Sequence, residues 1–338
     1  MDNRTRALGA VGLTVVMFLL VQLGALALVE PFQQAGYQQV EDPSDPTNSL
    51  VYVGAVLVLT GVMLAIIKLD VQWLLRGVLI FTSGLLSWYV FSVVIPAWLV
   101  VSLGGAPVNV VAVAAAGVIA LALAVHPEWY VIDAAGVLMG AGAAGLFGIS
   151  FGLLPAVLLL SVLAVYDAIS VYGTEHMLTL ASGVMDLKIP VILVIPLSAS
   201  YSFLDDEGMA EPEEGRTDGE ASAADGGEVP ETDAEAERPE MGDRDVFFIG
   251  LGDAVMPTVM VASAASFAPV EPLVSGLALN LPALTSMVGT IAGLLVLLWL
   301  VIKGRAHAGL PLLNGGAIGG YLVGALASGM TLVQALGL

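Results

Sequence analysis

Nine apolar segments dominate the sequence and restrict what it can fold into. A helix that crosses a bilayer needs about 20 mostly apolar residues, because each backbone polar group must find its hydrogen bond within the segment. Breaks in hydropathy place these segments at residues 7–29, 49–67, 77–102, 107–125, 131–149, 152–172, 246–267, 275–302 and 308–335. We therefore predict an all-α, polytopic membrane protein with nine transmembrane helices.

Composition supports this class and excludes several kinds of site. Charged residues make up only 12% of the chain and mean hydropathy is +0.93, unlike a soluble domain. The first segment, 7–29, is about twice as long as a signal-peptide core, so we expect it to remain as an anchor. Because the chain has no cysteine and only three scattered histidines, thiolate and His-Glu-x-x-His metal sites are excluded. We expect no cofactor and no nucleic-acid partner.

The basic residues predict how the segments are oriented. With a cytoplasmic N-terminus, the cytoplasmic connections are residues 1–6, 68–76, 126–130, 173–245 and 303–307. These connections hold all ten basic residues, which are Arg4, Arg6, Lys68, Arg76, Lys188, Arg216, Arg238, Arg244, Lys303 and Arg305. The positive-inside rule is therefore satisfied. Nine spans then place the C-terminus on the extracellular side of the cell membrane.

One long polar stretch, residues 201–245, divides the chain. It contains 17 acidic and three basic residues, with few apolar side chains that could offset the entropy cost of ordering. We predict a disordered cytoplasmic loop that serves as a solvated spacer, with an acidic regulatory tail as the alternative. It separates an N-terminal membrane part, residues 1–200 with spans 1–6, from a C-terminal membrane part, residues 246–338 with spans 7–9.

A segment before this loop, residues 175–196, is too apolar for a connection and too interrupted for a span. Residues 189–195 are rich in β-branched side chains and lie beside Pro190 and Pro196, which favours a short strand at the membrane face. This strand could simply pack against the helices. Alternatively, it could offer an edge to which an extended peptide adds a strand.

Two carboxylates lie inside apolar segments. Asp167 is in the sixth segment and Asp253 about seven residues into the seventh. A carboxylate within a membrane is costly, so we interpret both as functional. Since these two segments run in opposite directions, both groups fall in the cytoplasmic half at similar depth, Asp253 about 10 Å in. Facing carboxylates should share one proton near neutrality, a state that suits acid–base hydrolysis of a peptide bond.

The residues around these acids resemble a known family. Tyr166-Asp167 in one span, a long cytoplasmic loop and Gly250-Leu251-Gly252-Asp253 in the next resemble the presenilin and signal peptide peptidase family of intramembrane aspartyl proteases. The resemblance implies a presenilin-like fold, with Asp167 and Asp253 as the catalytic dyad. Tyr166, Gly250, Leu251 and Gly252 are then substrate-binding neighbours, since glycine lets a main chain approach closely.

The family also has a Pro-Ala-Leu motif at the cytoplasmic start of its last span. A literal Pro282-Ala283-Leu284 falls in the outer part of the eighth span, at the wrong depth for the dyad. Gly309-Leu310-Pro311 stands at the right place and resembles the motif, so we carry the substrate-binding role over to these residues. Pro311 should leave nearby backbone groups outside regular helix bonding, where they can hold an extended peptide.

Other polar residues in the segments are given structural roles. Asp133 and Glu128 are expected at the membrane interface, and Asn109, Asn280 and Asn314 are expected to hydrogen-bond between helices. Ser150 lies in a Gly-x-Ser-x-Gly sequence, but a membrane segment is the wrong context for a serine nucleophile.

Two functions remain open at this point. The resemblance implies a protease that cleaves single-span transmembrane proteins in the lipid bilayer, alone or with accessory subunits. A transporter or cation channel could also use paired acids in the membrane to move protons or cations. The sequence shows no inverted repeat and few other polar residues along the spans, which favours the protease.

Overall fold

Helices account for most of the structure, a computed structural model that describes residues 3–69, 71–103, 106–171, 192–196, 246–302 and 308–338. The helices are α1 Asn3–Gln34, α2 Thr47–Lys68, α3 Gln72–Val94, α4 Val110–Val125, α5 Trp129–Ser150, α6 Leu153–Ile169, α7 Leu251–Phe267, α8 Leu281–Ile302, α9 Gly309–Ala327 and α10 Leu332–Ala335. The strands are β1 Val100–Leu103, β2 Ala106–Asn109, β3 Ile192–Pro196 and β4 Val246–Gly250. The helical class predicted from the sequence is confirmed.

Within the described ranges, six helices are long and apolar enough to cross a membrane, namely α1, α2, α3, α5, α8 and α9. Three further apolar helices, α4, α6 and α7, have only 16 or 17 residues. All nine coincide with the predicted segments. Because three of them are shorter than a usual span, the count of nine transmembrane helices stays a prediction.

A β-hairpin connects α3 and α4, in residues that the sequence analysis assigned largely to the ends of two helical spans. Pro96 disfavours helical backbone at Ile95, so α3 ends at Val94. β1 and β2 then pair antiparallel, with Val100 opposite Asn109. The Asn109 side chain accepts hydrogen bonds from the first free amides of α4 and so fixes where that helix begins. Asn109 is therefore a helix cap, and its side-chain amide also donates to the carbonyl of Ile95 at the end of α3, so it links the two helices as expected.

The glycine-rich run from residue 140 to 152 lies in the centre of the bundle. α5 continues through it to Ser150, and the turn to α6 falls at Phe151 and Gly152. An added methyl group at Gly142 would come within 2.6 Å of Val90 on α3, and one at Gly148 would overlap Ala262 on α7. These glycines let α5 approach its neighbours closely, as small residues do in membrane bundles.

Helices α8 and α9 form an antiparallel pair in which main chains touch. A methyl group at Gly289 would overlap the carbonyl oxygen of Gly316, and one at Gly316 would overlap that of Gly289. At the other end of α9, a methyl group at Gly324 would lie 2.8 Å from Pro282 Cα. This glycine contact fixes α9 along its whole length against α8.

Helix α7 is the most enclosed element, in contact with α1, α5, α6, α8 and α9. Every residue from Pro257 to Ala264 is buried. The predicted seventh span began at residue 246, which is wrong by five residues, since 246–250 form β4. Valine, phenylalanine and isoleucine in this stretch suit a strand, and β4 pairs antiparallel with β3, Ile192 opposite Gly250. The strand predicted at 189–195 is confirmed at 192–196. The predicted loop 201–245 and the predicted cytoplasmic connection 303–307 lie outside the described residues.

Candidate active site

Asp253 lies in the first turn of α7, directly after β4. Gly250 has extended backbone angles and ends the strand, so Leu251 is the first helical residue and Asp253 the third. The acid is therefore nearer to the helix end than the sequence indicated. The free amides at a helix N-terminus favour negative charge there.

Asp167 lies in the last turn of α6 and is only 6% exposed. Its Oδ2 accepts a hydrogen bond of 3.0 Å from the Leu310 backbone amide, and the Gly309 backbone also hydrogen-bonds this carboxylate. Both amides belong to the first turn of α9, where N–H groups have no partner within the helix. The start of α9 is thus used to hold an acid of α6.

The same turn of α9 also reaches the second acid. A methyl group at Gly309 would lie 3.3 Å from Asp253 Oδ2, and one at Gly250 would lie 3.6 Å from it. Gly252 is exposed and has open space around it. Asp253 also interacts electrostatically with Asp167. The two acids therefore lie close enough to interact, and the glycine backbone beside Asp253 leaves room for a bound main chain.

The two Pro-Ala-Leu candidates lie at opposite ends of the α8–α9 pair. Gly309 packs beside Leu297, with 3.4 Å between an added methyl group and Leu297 Cδ2, whereas Pro282 packs beside Gly324. Leu284 is 13 residues from Leu297 along α8, or about 20 Å at the helical rise. The structure brings Leu310, and not Leu284, to the acids.

The other predicted binding residues are placed in different ways. Tyr166 is half-buried and neighbours Asp167 in sequence, but adjacent helical positions point in different directions. The Leu251 side chain packs on α5, 3.2 Å from a methyl group built at Gly140, so it faces away from the acids. Pro311 is the third residue of α9. A helix has no internal partner for that amide, so the proline starts the helix without disrupting it.

The structure also places the polar residues with predicted interfacial or interhelical roles. Asp133 and Glu128 lie at the start of α5, at the end of the predicted span, and both are buried in protein, at 5% and 8% exposure. Asn314 donates to the Leu160 carbonyl and Asn280 to that of Ala264, which confirms these two as interhelical contacts. Asp133 accepts a hydrogen bond from the Val194 amide, a contact that the sequence did not reveal because the two residues are 61 positions apart.

Two further side chains bear on the chemistry that the site can perform. Ser150 donates to the Leu146 carbonyl and accepts from the Gln39 amide, so both hydrogen bonds of its hydroxyl are to main-chain groups. In the part of the chain that the structure describes, no group of three or more histidine or acidic side chains lies together as a metal site would.

Comparison with known proteins gives a consistent result. A family model described as signal-peptide peptidase, presenilin aspartyl protease matches residues 15–330. A presenilin family intramembrane aspartate protease solved in space group C222 is 32% identical, with a TM-score of 0.60, over 95% of this chain and 99% of that chain. The same description in space group P2 gives 32% identity and a TM-score of 0.54, over 93% and 96%. No curated protein matches the sequence.

Fold, paired acids and these similarities define an intramembrane aspartyl protease, a multi-pass integral membrane enzyme. The chain belongs to the signal-peptide peptidase and presenilin family. It is an aspartic endopeptidase of the Gly-x-Gly-Asp type that hydrolyses peptide bonds within transmembrane segments of membrane proteins. The transporter or channel considered from the sequence is set aside by this membership.

Proposed function

We propose that Asp167 and Asp253 are the catalytic dyad of this protease. The observation that carries the assignment is the position of α9, whose first turn contacts both acids. Leu310 donates its amide to Asp167, and Gly309 lies against Asp253. The two acids come from α6 and α7, so the start of α9 fixes the geometry of a pair that is distant in sequence.

In the mechanism that this geometry supports, the pair holds one proton and binds the attacking water. The ionised acid takes a proton from the water, while the protonated acid donates its proton to the carbonyl oxygen of the peptide bond. The resulting tetrahedral diol then collapses: the C–N bond breaks, the leaving amine takes a proton from the protonated acid, and a diol hydroxyl returns a proton to the ionised acid as the carbonyl re-forms, so the pair again holds one proton. Gly250, Gly252 and Gly309 provide the space in which the substrate backbone lies beside Asp253.

The proposed substrates are single-span transmembrane segments. A peptide bond in a helix is shielded by the helix's own hydrogen bonds, so the segment must unwind before attack. We expect Gly, Pro or β-branched residues near the cut, and the β3–β4 sheet as a surface to which unwound substrate can add a strand. The charge distribution supports a cytoplasmic N-terminus, an extracellular C-terminus and a dyad near the cytoplasmic side.

Single asparagine variants test the dyad. Asp167→Asn and Asp253→Asn should each abolish cleavage of a single-span test peptide in proteoliposomes while keeping the wild-type unfolding temperature. Neither variant can form a pair with one proton and one negative charge. Retention of near wild-type turnover by either variant would show that the shared-proton mechanism is wrong.

A matched control and the pH profile sharpen this test. The Thr47 side chain and amide hydrogen-bond Asp45 and hold the pKa of that exposed loop carboxylate below its usual value, so Asp45 is a carboxylate outside the proposed site. Asp45→Asn should leave the rate unchanged. For the wild type, activity should fall at low pH, where both dyad acids are protonated, and at high pH, where both are ionised, giving a bell-shaped profile.

A further inference from the structure

A third membrane-helix acid, Asp133, lies outside the dyad and has a specific partner. It is the fifth residue of α5 and only 5% exposed. Its Oδ1 accepts a hydrogen bond of 2.8 Å from the Val194 backbone amide, in β3. Its Oδ2 is buried and has no hydrogen-bond partner among the residues that the structure describes. Burying a carboxylate costs free energy unless it is hydrogen-bonded, so the Val194 contact offsets part of this cost.

The face of α5 that carries Asp133 packs against both β3 and Leu251, the first residue of α7. Asp133, Gly136 and Gly140 are spaced three and four residues apart, so they lie along one side of the helix. A methyl group at Gly136 would be 3.2 Å from Leu193 Cδ2, and one at Gly140 would be 3.2 Å from Leu251 Cδ1. We call these three residues the α5 contact face, because β3 and the start of α7 pack on them.

The Val194 contact also determines which edge of the sheet is occupied. Amides along a strand point alternately to its two sides, so the Val194 amide, which bonds Asp133, points away from β4. Asp133 therefore holds the outer edge of β3. A strand edge is a template for pairing with another chain, and an acceptor placed on it competes with that pairing.

Any movement of this sheet is passed directly to the dyad. Val194 is opposite Phe248, and Gly250 follows two residues later and leads into Asp253. A two-stranded sheet is marginally stable alone, so its position depends on what it packs against. A slip of one residue would turn the side chains of β4 to the opposite faces and displace the start of α7.

We propose that Asp133 is a positioning residue for cleavage. By accepting the Val194 amide, it fixes the β3–β4 sheet on the α5 contact face and thereby fixes the position of Asp253. It also occupies the outer edge of β3, so that this edge is closed to an added strand. This inference rests on the proposed catalytic role of Asp253.

Three variants separate positioning from general stability. Asp133→Leu removes the acceptor, whereas Asp133→Asn keeps a carbonyl oxygen that can accept from Val194. Ser150→Ala is the control: it also removes a side-chain acceptor from α5, in this case the one that accepts from the Gln39 amide. For each variant in proteoliposomes, kcat, KM, the unfolding temperature and the cut positions by mass spectrometry are measured with one single-span peptide.

Asp133→Leu should lower kcat by at least about tenfold and spread the cuts over neighbouring peptide bonds. Asp133→Asn should restore the wild-type cut positions, with kcat within about threefold of wild type. Ser150→Ala should lower the unfolding temperature but change neither kcat nor the cut positions. Three results would overturn the proposal. The first is an unchanged rate with unchanged cut positions in Asp133→Leu, and the second is a loss of kcat in Asp133→Asn equal to that in Asp133→Leu. The third is the same shift of cut positions in Ser150→Ala.

If Asp133→Leu does not fold, Asp133→Glu replaces it. This variant keeps the carboxylate but adds one methylene, which should displace β3 and shift the cuts. Unchanged cut positions in Asp133→Glu would contradict the positioning role. Asp253→Asn, run in parallel, keeps this result separate from the dyad assignment. Cleavage by Asp253→Asn would refute the dyad, whereas an inactive Asp253→Asn with unaltered Asp133 variants would refute only the positioning role.

Discussion

At residue scale, the contact between α9 and the acids is made by main chain. The Leu310 amide is the donor to Asp167, and Gly309 leaves space beside Asp253. A side-chain substitution that keeps the amide changes this contact only indirectly. A substitution that removes the amide tests it directly.

Leu310→Pro removes that amide at a position where a helix start accepts proline. Losing a hydrogen bond to a charged group costs about 1.5–3 kcal/mol, so kcat should fall roughly ten- to hundredfold. Leu284→Ala, at the far end of α8, should act only on stability. Rates for both variants in proteoliposomes, with unfolding temperatures alongside, decide between the two Pro-Ala-Leu candidates. A larger rate loss in Leu284→Ala would reverse the assignment.

The sequence revealed some of these residues and hid others for a physical reason. Asp167 and Asp253 stand out because each interrupts a long apolar run, where a charge is costly. Asp133 stands near the end of its segment, where an acid at the lipid–water interface is ordinary. Its burial arises from a strand 61 residues further along the chain, and no local pattern reports such a contact.

At the scale of elements, hydropathy located the helices better than it located their ends. The stretch 246–250 is as apolar as a helix, so only its pairing with β3 distinguishes it as a strand. Residues 95–109 likewise read as the ends of two spans, although Pro96 and Asn109 mark where helix stops and starts again. The glycine-rich run nevertheless forms a helix as predicted, because the span placed at 131–149 is α5, Trp129–Ser150, and tertiary packing offsets the low helix propensity of glycine.

The α8–α9 glycine contact gives a prediction with a built-in control. Gly316→Ala places a methyl group against the Gly289 carbonyl, which is main chain and cannot rotate away. We expect a loss of about 1–3 kcal/mol of stability. Gly315→Ala, one residue earlier with open space around it, should be neutral or slightly stabilising. Thermal unfolding in detergent measures both, and equal effects would show that the contact is not tight.

At the scale of the whole molecule, the two membrane parts pack against each other through helices, and β3 and β4 join them where the long loop begins and ends. Pro196 and Val246 are paired residues of the sheet, so the chain between them leaves and returns at neighbouring points. The composition of residues 201–245 predicts a spacer, and the paired ends explain why a short connection could serve equally well.

Replacing residues 201–245 by a short Gly/Ser linker should therefore keep activity within about tenfold of wild type, or roughly 1.4 kcal/mol of barrier. The measurement is kcat/KM on a single-span peptide in proteoliposomes. The same deletion carrying Asp253→Asn provides the background. A larger loss would show that the loop contributes to substrate binding or regulation.

The short lengths of α6 and α7 have a consequence for the surrounding lipid. With 17 residues each, they extend about 25 Å, less than the roughly 30 Å of a typical hydrocarbon core. Both helices that carry the proposed dyad are thus shorter than the hydrocarbon core, and the exposed apolar face of α6, which includes Val162 and Val165, is where lipid would meet this mismatch. Turnover in vesicles should consequently fall as acyl chains lengthen, because a thicker membrane withdraws water from Asp167 and Asp253. Membrane thickness would then regulate this enzyme by limiting how readily the hydrolytic water reaches the two acids.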